Sequence, residues 1–296
     1  IIFFTFLYFR GNLFTAYNAS LLKIIKPKIV ISFIDNSPRF HNLSKLFKDK
    51  INFLAIQNAE RYDLEVCDYL KEKKIDFYDY KNFFIPNFFC FGQYEIDYYK
   101  RKNVKVLNFK KIGSLRTSNF RRKVDIHSIK EKYDICLVSN PARNFDNFFK
   151  LKGFEEGFAK VVKFTIKFCK ENNLKLVFPI KRYIASYKNN EIYFFKKNLD
   201  KEEFDYLINN SFEKSSENKN SSYQKLCESN VTIACCTTML REALSLKKKI
   251  MVCNFSPTNI YDFPQEDFFL KNPSYEKFKK KLKEILSLNE KEYFDI

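Results

Sequence analysis

The stretch from Leu226 to Phe255, LCESNVTIACCTTMLREALSLKKKIMVCNF, leaves few folds open to this chain. Val231 to Cys236 is short, rich in β-branched residues and uncharged, which predicts a strand buried in a parallel sheet. Thr237 and Thr238 follow. Met239 to Leu246 then places Leu240, Ala243, Leu244 and Leu246 on one side of a helix, with Lys247 to Lys249 in or just beyond its last turn, where cations suit the helix dipole. Ile250 to Phe255 is a second apolar run. Strand, helix and strand in this order make a βαβ crossover, the connection that parallel strands require.

The chemistry of such a unit lies at its strand-to-helix turn. The first N–H groups of a helix have no partner inside it and point at whatever sits beyond its start. The hydroxyls of Thr237 and Thr238 sit at that turn, and Glu242 follows one turn later, within reach of a ribose hydroxyl. The same residues also fit a simpler role, with Thr238 as N-cap and Glu242 as first-turn charge.

Similar units precede it. Asn12 to Ile25 has helical spacing and ends at Pro27. Lys28 to Ile34 reads as a buried strand broken by Asp35-Asn36-Ser37-Pro38, and Leu43 to Phe47 as a short helix. Ile51 to Ile56 is another strand, ending in Gln57-Asn58-Ala59-Glu60-Arg61. Polar loops at the C-terminal ends of buried parallel strands are where open α/β sheets place ligands, although ordinary turn chemistry uses the same residue types. Tyr62 to Lys73 reads as helix, Phe83 to Phe91 as a strand interrupted by Pro86, Glu95 to Lys102 as helix and Val104 to Phe109 as strand, closed by Gly113-Ser114. Leu115 to Lys132 is charged and poor in aliphatics, which predicts an interdomain linker. Beyond it come a strand at Tyr133 to Val138, an amphipathic helix at Phe154 to Asn172 and a strand at Leu174 to Ile180 that runs into Lys181-Arg182. Glu191 to Phe195 is expected to be a strand, Phe204 to Ile208 and Tyr223 to Glu228 short helices, and Asn209 to Ser222 a surface loop. A basic helix, Pro273 to Leu288, closes the chain with Tyr275, Phe278, Leu282, Ile285 and Leu286 on one face. That face fits docking onto a domain, with an interfacial membrane helix as the other option.

Alternating strands and helices in both halves predict an α/β protein of two Rossmann-like domains facing each other across a cleft, residues 1–125 and 126–296. The opening IIFFTFLYFR has nine largely apolar residues before Arg10, too few to span a bilayer, and no basic n-region or cleavage site. It reads as the interior of a first domain that lacks its opening strand. The formal charge of +18 fits an anionic partner such as a phosphorylated substrate, a membrane face or nucleic acid, although no zinc-finger or RNP-like motif supports the last. A chain with 5 Gly and abundant Lys, Asn, Phe and Ile also reflects AT-rich coding, which raises the lysine count by itself. The 8 cysteines contain no C-x-x-C pair, and several fall in strand-like runs, so free thiols in a reducing cytoplasm are expected. The two histidines, His41 and His127, are far apart in sequence; they leave a metal site open, and nothing argues for one.

KPKIVISFIDNS, FLAIQNAERYD, FFCFGQYEIDYYKRKNVKVLNFKKIGSLR and LCESNVTIACCTTMLREALSLKKKIMV together resemble the bacterial surface-carbohydrate biosynthesis proteins. That group is similar to GT-B glycosyltransferases and to CDP-glycerol polyol-phosphate transferases. The resemblance runs from about Lys26 to Phe255 and rests on Asp35-Asn36, Gln57-Asn58-Ala59, Gly113-Ser114 and the turn with Thr237, Thr238, Leu240 and Glu242. The chain departs from the pattern at Ala59 and Leu240, where the group has glycine; Leu240 would crowd a phosphate approaching its helix.

The resemblance implies a transferase whose second domain holds a nucleotide-sugar or CDP-linked donor and whose first domain holds a polysaccharide or lipid-linked acceptor. Thr237, Thr238 and the helix-start N–H groups would bind the donor phosphates, with Arg143, Lys181 and Arg182, just beyond strand ends, neutralising them. Glu242 would take the ribose. Asp35, then His41, then Glu60 would serve as base toward the acceptor hydroxyl, with Asn36, Gln57, Asn58 and Arg61 on the acceptor side and Gly113-Ser114 as hinge. Asp35 fits a strand-end Asx turn equally well. Fixed cations can do the neutralising, so the scheme needs no metal or other cofactor. The expected place is the cytoplasm, with peripheral contact to the anionic inner face of the membrane as an option. A sugar-nucleotide epimerase of the same two-domain shape and a non-catalytic basic module that binds membrane or nucleic acid are the competing readings.

Overall fold

The computed structural model describes residues 13–59, 61, 80–139, 154–179, 185–212, 221–235, 237–255 and 266–295. The chain divides into two compact units, residues 1–61 with 74–115, and residues 62–73 with 116–296.

In the first unit, helix α1 (Leu13–Ile25) leads to strand β1 (Ile29–Ser32), helix α2 (Pro38–Leu46) and strand β2 (Asn52–Ile56). Strand β3 (Phe84–Cys90), helix α3 (Gln93–Arg101) and strand β4 (Lys105–Lys111) complete it. The four strands pair in parallel in the order β1-β2-β3-β4, with Ile31 opposite Leu54 and Ala55 opposite Phe88. Pro86 sits inside β3 without harm. The β2 pairing begins only at Asn87, so the missing proline N–H costs no ladder bond on that side. Phe53, Ala55, Ile85, Phe88 and Tyr99 form the core. Gly113, after β4, has φ +72, a left-handed turn conformation that suits glycine.

The second unit opens with helix α4 (Leu115–Lys123) and strand β5 (Tyr133–Leu137). The stretch expected to be a linker therefore folds: Phe120 is 1% exposed within the second unit's core and lies 5.6 Å from the Tyr223 ring. One aromatic on a polar nine-residue helix supplies that anchor. Helix α5 (Phe154–Asn172), strand β6 (Leu176–Pro179), helix α6 (Ala185–Asn198), helix α7 (Lys201–Asn209) and strand β7 (Ser211–Phe212) follow. The expected strand at Glu191 to Phe195 is thus part of a helix. Helix α8 (Ser221–Cys227), strand β8 (Ser229–Ala234), helix α9 (Thr238–Ser245) and strand β9 (Lys249–Asn254) make up the predicted βαβ crossover and its approach. Strand β10 (Phe269–Lys271), helix α10 (Tyr275–Ser287) and helix α11 (Glu290–Phe294) end the chain.

The second sheet is also parallel throughout, in the order β10-β9-β8-β5-β6-β7. Counted within the unit this is 6-5-4-1-2-3, the Rossmann order. Strand β9 is buried at all six positions and β6 at all four, so their continuous apolar runs are what a sheet covered on both faces demands. Helix α10 buries Phe278, Leu282 and Ile285, which settles its apolar face as a docking surface inside the unit. Cys90, Cys136, Cys169, Cys227, Cys235 and Cys253 are free and buried. Among the described residues, no helix is long and apolar enough to cross a membrane.

Candidate functional site

The second sheet has one place where consecutive connections diverge. Strands β5 and β8 are neighbours, with Leu137 opposite Ile233. After β5 the chain builds β6 and β7 on one side; after β8 it builds β9 and β10 on the other. Beyond the carboxyl ends of two such strands the loops part and leave a crevice, the usual ligand position in open α/β sheets.

Helix α9 starts at that point. Thr237 has extended backbone (φ −166) and its hydroxyl accepts a hydrogen bond from Met239 N at 3.3 Å, so Thr237 is the N-cap and Thr238 the first helical residue. The cap falls one residue earlier than the spacing suggested. Met239 N is held by the Thr237 hydroxyl and Leu240 N by the Thr237 carbonyl at 3.0 Å, so what the start of α9 turns to the switch point is the positive end of its dipole. Leu240 is 1% exposed and belongs to the second unit's core.

Glu242 is not an exposed first-turn charge. It is 2% exposed, and its Oε2 accepts a hydrogen bond from Tyr223 Oη at 3.0 Å. Arg116 also hydrogen-bonds the Tyr223 phenol. Burial, and then the adjacent Glu242, push the Tyr223 pKa far above its ordinary value, so the phenol stays protonated and keeps donating. Arg116, Tyr223 and Glu242 therefore tie α4, α8 and α9 together. On the other side of the switch point, Ser139 follows β5. It is 0% exposed, and its hydroxyl has no hydrogen-bond partner among the described residues. A buried hydroxyl without a partner costs about 1–3 kcal/mol, which a ligand oxygen would recover.

In the first unit the loops after β1 and β2 are locked together. Arg61 forms a two-point pair with Asp35: its Nε donates to Oδ2 at 2.9 Å and one terminal nitrogen donates to Oδ1. That same nitrogen also donates to Asn58 Oδ1 at 3.1 Å, and Tyr99 Oη donates to Asp35 Oδ2 at 2.6 Å. Asp35 is 0% exposed. A carboxylate closed in by a guanidinium and a phenol is positioned, and it is not poised to take a proton from a substrate. Gln57 completes the loop from below, accepting from Phe91 N at 2.9 Å and donating to the Ala59 carbonyl at 3.0 Å. Asn36 lies half-buried in the turn after Asp35. Ser114 is buried just beyond Gly113.

His41 is a core residue. Its ring stacks on Phe83 at 3.9 Å and its Nδ1 lies 3.3 Å from the Phe84 carbonyl oxygen. Burial lowers its pKa to about 4, too low for a useful base near neutral pH. Glu60, Arg143, Lys181 and Arg182 lie outside the described residues. Sequence reasoning did not single out Ser139, Arg116, Tyr99 or Tyr223. The first directly follows the strand read at Tyr133 to Val138. Tyr99 and Tyr223 donate to buried carboxylates from distant positions and Arg116 reaches the Tyr223 phenol, and no local pattern signals that.

The parallel sheets, the Rossmann strand order and a capped helix at the switch point define an α/β fold of the GT-B type. Among solved structures the chain is similar to UDP-N-acetylglucosamine 2-epimerase from Rickettsia bellii, at 16% identity and a TM-score of 0.54 over 94% of this chain and 70% of that one. It is similarly related to the Methanocaldococcus jannaschii UDP-GlcNAc 2-epimerase in complex with UDP-GlcNAc and UDP (12% identity, TM-score 0.53, covering 93% and 74%). TarM is matched at 11% identity and a TM-score of 0.48, over 92% of this chain; the chain spans about half (51%) of TarM's length. No family model matches the chain, and no curated protein matches it in sequence.

Proposed function

We propose that the chain is a transferase that moves a sugar, or a polyol phosphate, from a nucleotide-activated donor to a surface-polysaccharide or lipid-linked acceptor. The observation that carries this reading is the start of α9 at the β5/β8 switch point, capped by Thr237 and accompanied by the buried hydroxyl of Ser139, which has no partner among the described residues. A diphosphate there would meet the positive end of the α9 dipole and the hydroxyls of Thr238 and Ser139, which would stabilise charge on the leaving nucleotide. Arg143, Lys181 and Arg182 are proposed to add cationic neutralisation. Glu242, held by Tyr223, fixes the α9 wall beside the ribose.

In the first unit, Asp35 acts as a positioning residue through Arg61, and Glu60 is the candidate base to test. Acceptor recognition is assigned to Asn36, Gln57 and Asn58, and flexing to Gly113 and Ser114. A UDP-linked donor is the first to try, because one of the similar structures holds UDP-GlcNAc and UDP.

A second reading, a sugar-nucleotide epimerase, draws on the similarity to two UDP-GlcNAc 2-epimerases. An epimerase must move a proton off and back onto the sugar with free acid–base groups. Asp35 and His41 are both committed elsewhere, so neither reading has its base among them.

Thermal shift with UDP-, CDP-, GDP- and CMP-linked donors tests the site. At about 100 times Kd a donor bound only by the folded chain should raise Tm by roughly 5–10 °C. Thr238→Ala should remove most of that shift while leaving the ligand-free Tm within a few degrees. No shift with any donor would sink the proposal. Incubation with the stabilising donor alone, followed by sugar analysis, separates the two readings: an epimerase changes the sugar without an acceptor, and a transferase does not.

A further inference from the structure

Helix α9 carries a row of polar residues along one face. Thr238, Glu242 and Ser245 are spaced i, i+4 and i+7, which stacks them above one another over its 8 residues. Leu240 and Ala243 belong instead to the second unit's core. The row begins with Thr238, half-buried at the first helical position, and its other two members are both held from neighbouring helices.

Two ties reach this row. Tyr223 Oη, on α8, donates to Glu242 Oε2 at 3.0 Å, and Arg116, in the first turn of α4, hydrogen-bonds the same phenol. One turn further along α9, Ser245 Oγ lies 3.4 Å from Thr117 Oγ1 of α4 and 2.7 Å from the Glu242 carbonyl oxygen. Arg116 and Thr117 are consecutive, so a single turn of α4 anchors both ties. Phe120, on the next turn of α4, backs the Tyr223 ring at 5.6 Å and is itself 1% exposed.

Such bonds are a poor way to glue helices together, because a buried carboxylate adds little net stability over an apolar side chain of equal volume. They do fix direction. Apolar contact is non-directional, whereas a hydrogen bond weakens steeply off its axis. A turn of the helix by about 20° carries a side-chain oxygen about 5 Å from the axis through roughly 1.7 Å, enough to break a hydrogen bond. Two ties on one row oppose that turn, and the same row carries Thr238.

We infer that Tyr223 and Arg116 are positioning residues that set the rotation of α9 and thereby aim the Thr238 hydroxyl at the donor phosphate. The inference rests on the proposed donor site. Glu242 serves in it as the handle by which α8 and α4 hold the helix.

Calorimetric titration with UDP and with CDP, carried to saturation, tests this. Tyr223→Phe keeps the ring against Phe120 and removes the tie, so Kd for the nucleotide that binds should rise about tenfold, the equivalent of one hydrogen bond. Arg116 is exposed, so Arg116→Gln should fold as the wild type does and raise Kd in the same direction. A double-mutant cycle gives the deciding readout. If Tyr223 acts through Thr238, Tyr223→Phe should cost little more in a chain that already carries Thr238→Ala. Arg116→Gln carries the same cycle should Tyr223→Phe fail to fold. Equal losses with and without the Thr238 hydroxyl would mean a merely structural role and would overturn the inference, as would an unchanged Kd in both variants. Binding of neither nucleotide to the wild-type chain would remove the donor site itself, and this inference with it.

Discussion

Burial against Phe83 and Phe40 keeps the imidazole of His41 neutral down to about pH 4, whereas the unfolded chain protonates it near 6.5. Between those two values the unfolded state binds the extra proton. The contribution of a neutral His41 is therefore complete above pH 6.5 and is lost as pH falls toward 4, about 3 kcal/mol in all. Urea midpoints measured at pH 7 and pH 5 should differ, with the lower stability at pH 5. His41→Phe should flatten that difference, and an unchanged wild-type midpoint would contradict the assignment. Asp35, Asn58 and Arg61 were recognisable from the sequence as polar strand ends, because loops at the ends of parallel strands carry such residues. Their chemistry was not recognisable, since Tyr99 and Arg61 reach Asp35 from 64 and 26 residues away. A carboxylate reads as a base until its partners are seen.

At the scale of elements, the apolar runs and the 3.6-residue spacing located β1, β2, β3, β5, β8, β9, α5, α9 and α10 to within a few residues. Short polar helices escaped. Helix α7 carries a capping box between Asp200 and Glu203 that marks its start, yet only Phe204 to Ile208 looked helical. Helix ends were harder to read for a compositional reason. With 5 glycines in the chain, left-handed positions after helices fall to other residues: Lys26 after α1, Asn103 after α3, Asn173 after α5 and Lys247 after α9. Asn tolerates that conformation; Lys has no such excuse and is strained there. Lys247, at φ 59, closes α9 while Lys248 N bonds back to the Ala243 carbonyl at 2.9 Å. Lys247→Gly should raise stability by about 0.5–1 kcal/mol, the relieved strain exceeding the added unfolded-state freedom. Chemical denaturation reads the gain, and a loss would mean that the lysine stem packs more usefully than the turn suffers.

Across the whole molecule, two separate cores stand behind two all-parallel sheets of four and six strands. The larger core belongs to the second unit, and deeper burial generally raises the free energy of opening. The free thiols turn this into a measurement. Burial pushes Cys90 up to about 11, Cys227 to about 11, and Cys136 and Cys169 to about 12, so none reacts as a thiolate while its surroundings stay closed. Alkylation followed by peptide mass spectrometry should modify Cys90, the reporter in the first unit, faster than Cys136, Cys169, Cys227, Cys235 and Cys253. Equal rates at all six would mean that the units open as one. Donor nucleotide should slow the second group and leave Cys90 alone. Read this way, the buried cysteines serve as a two-channel clock: each unit keeps its own time, and a ligand can be assigned to a unit by which channel it stops.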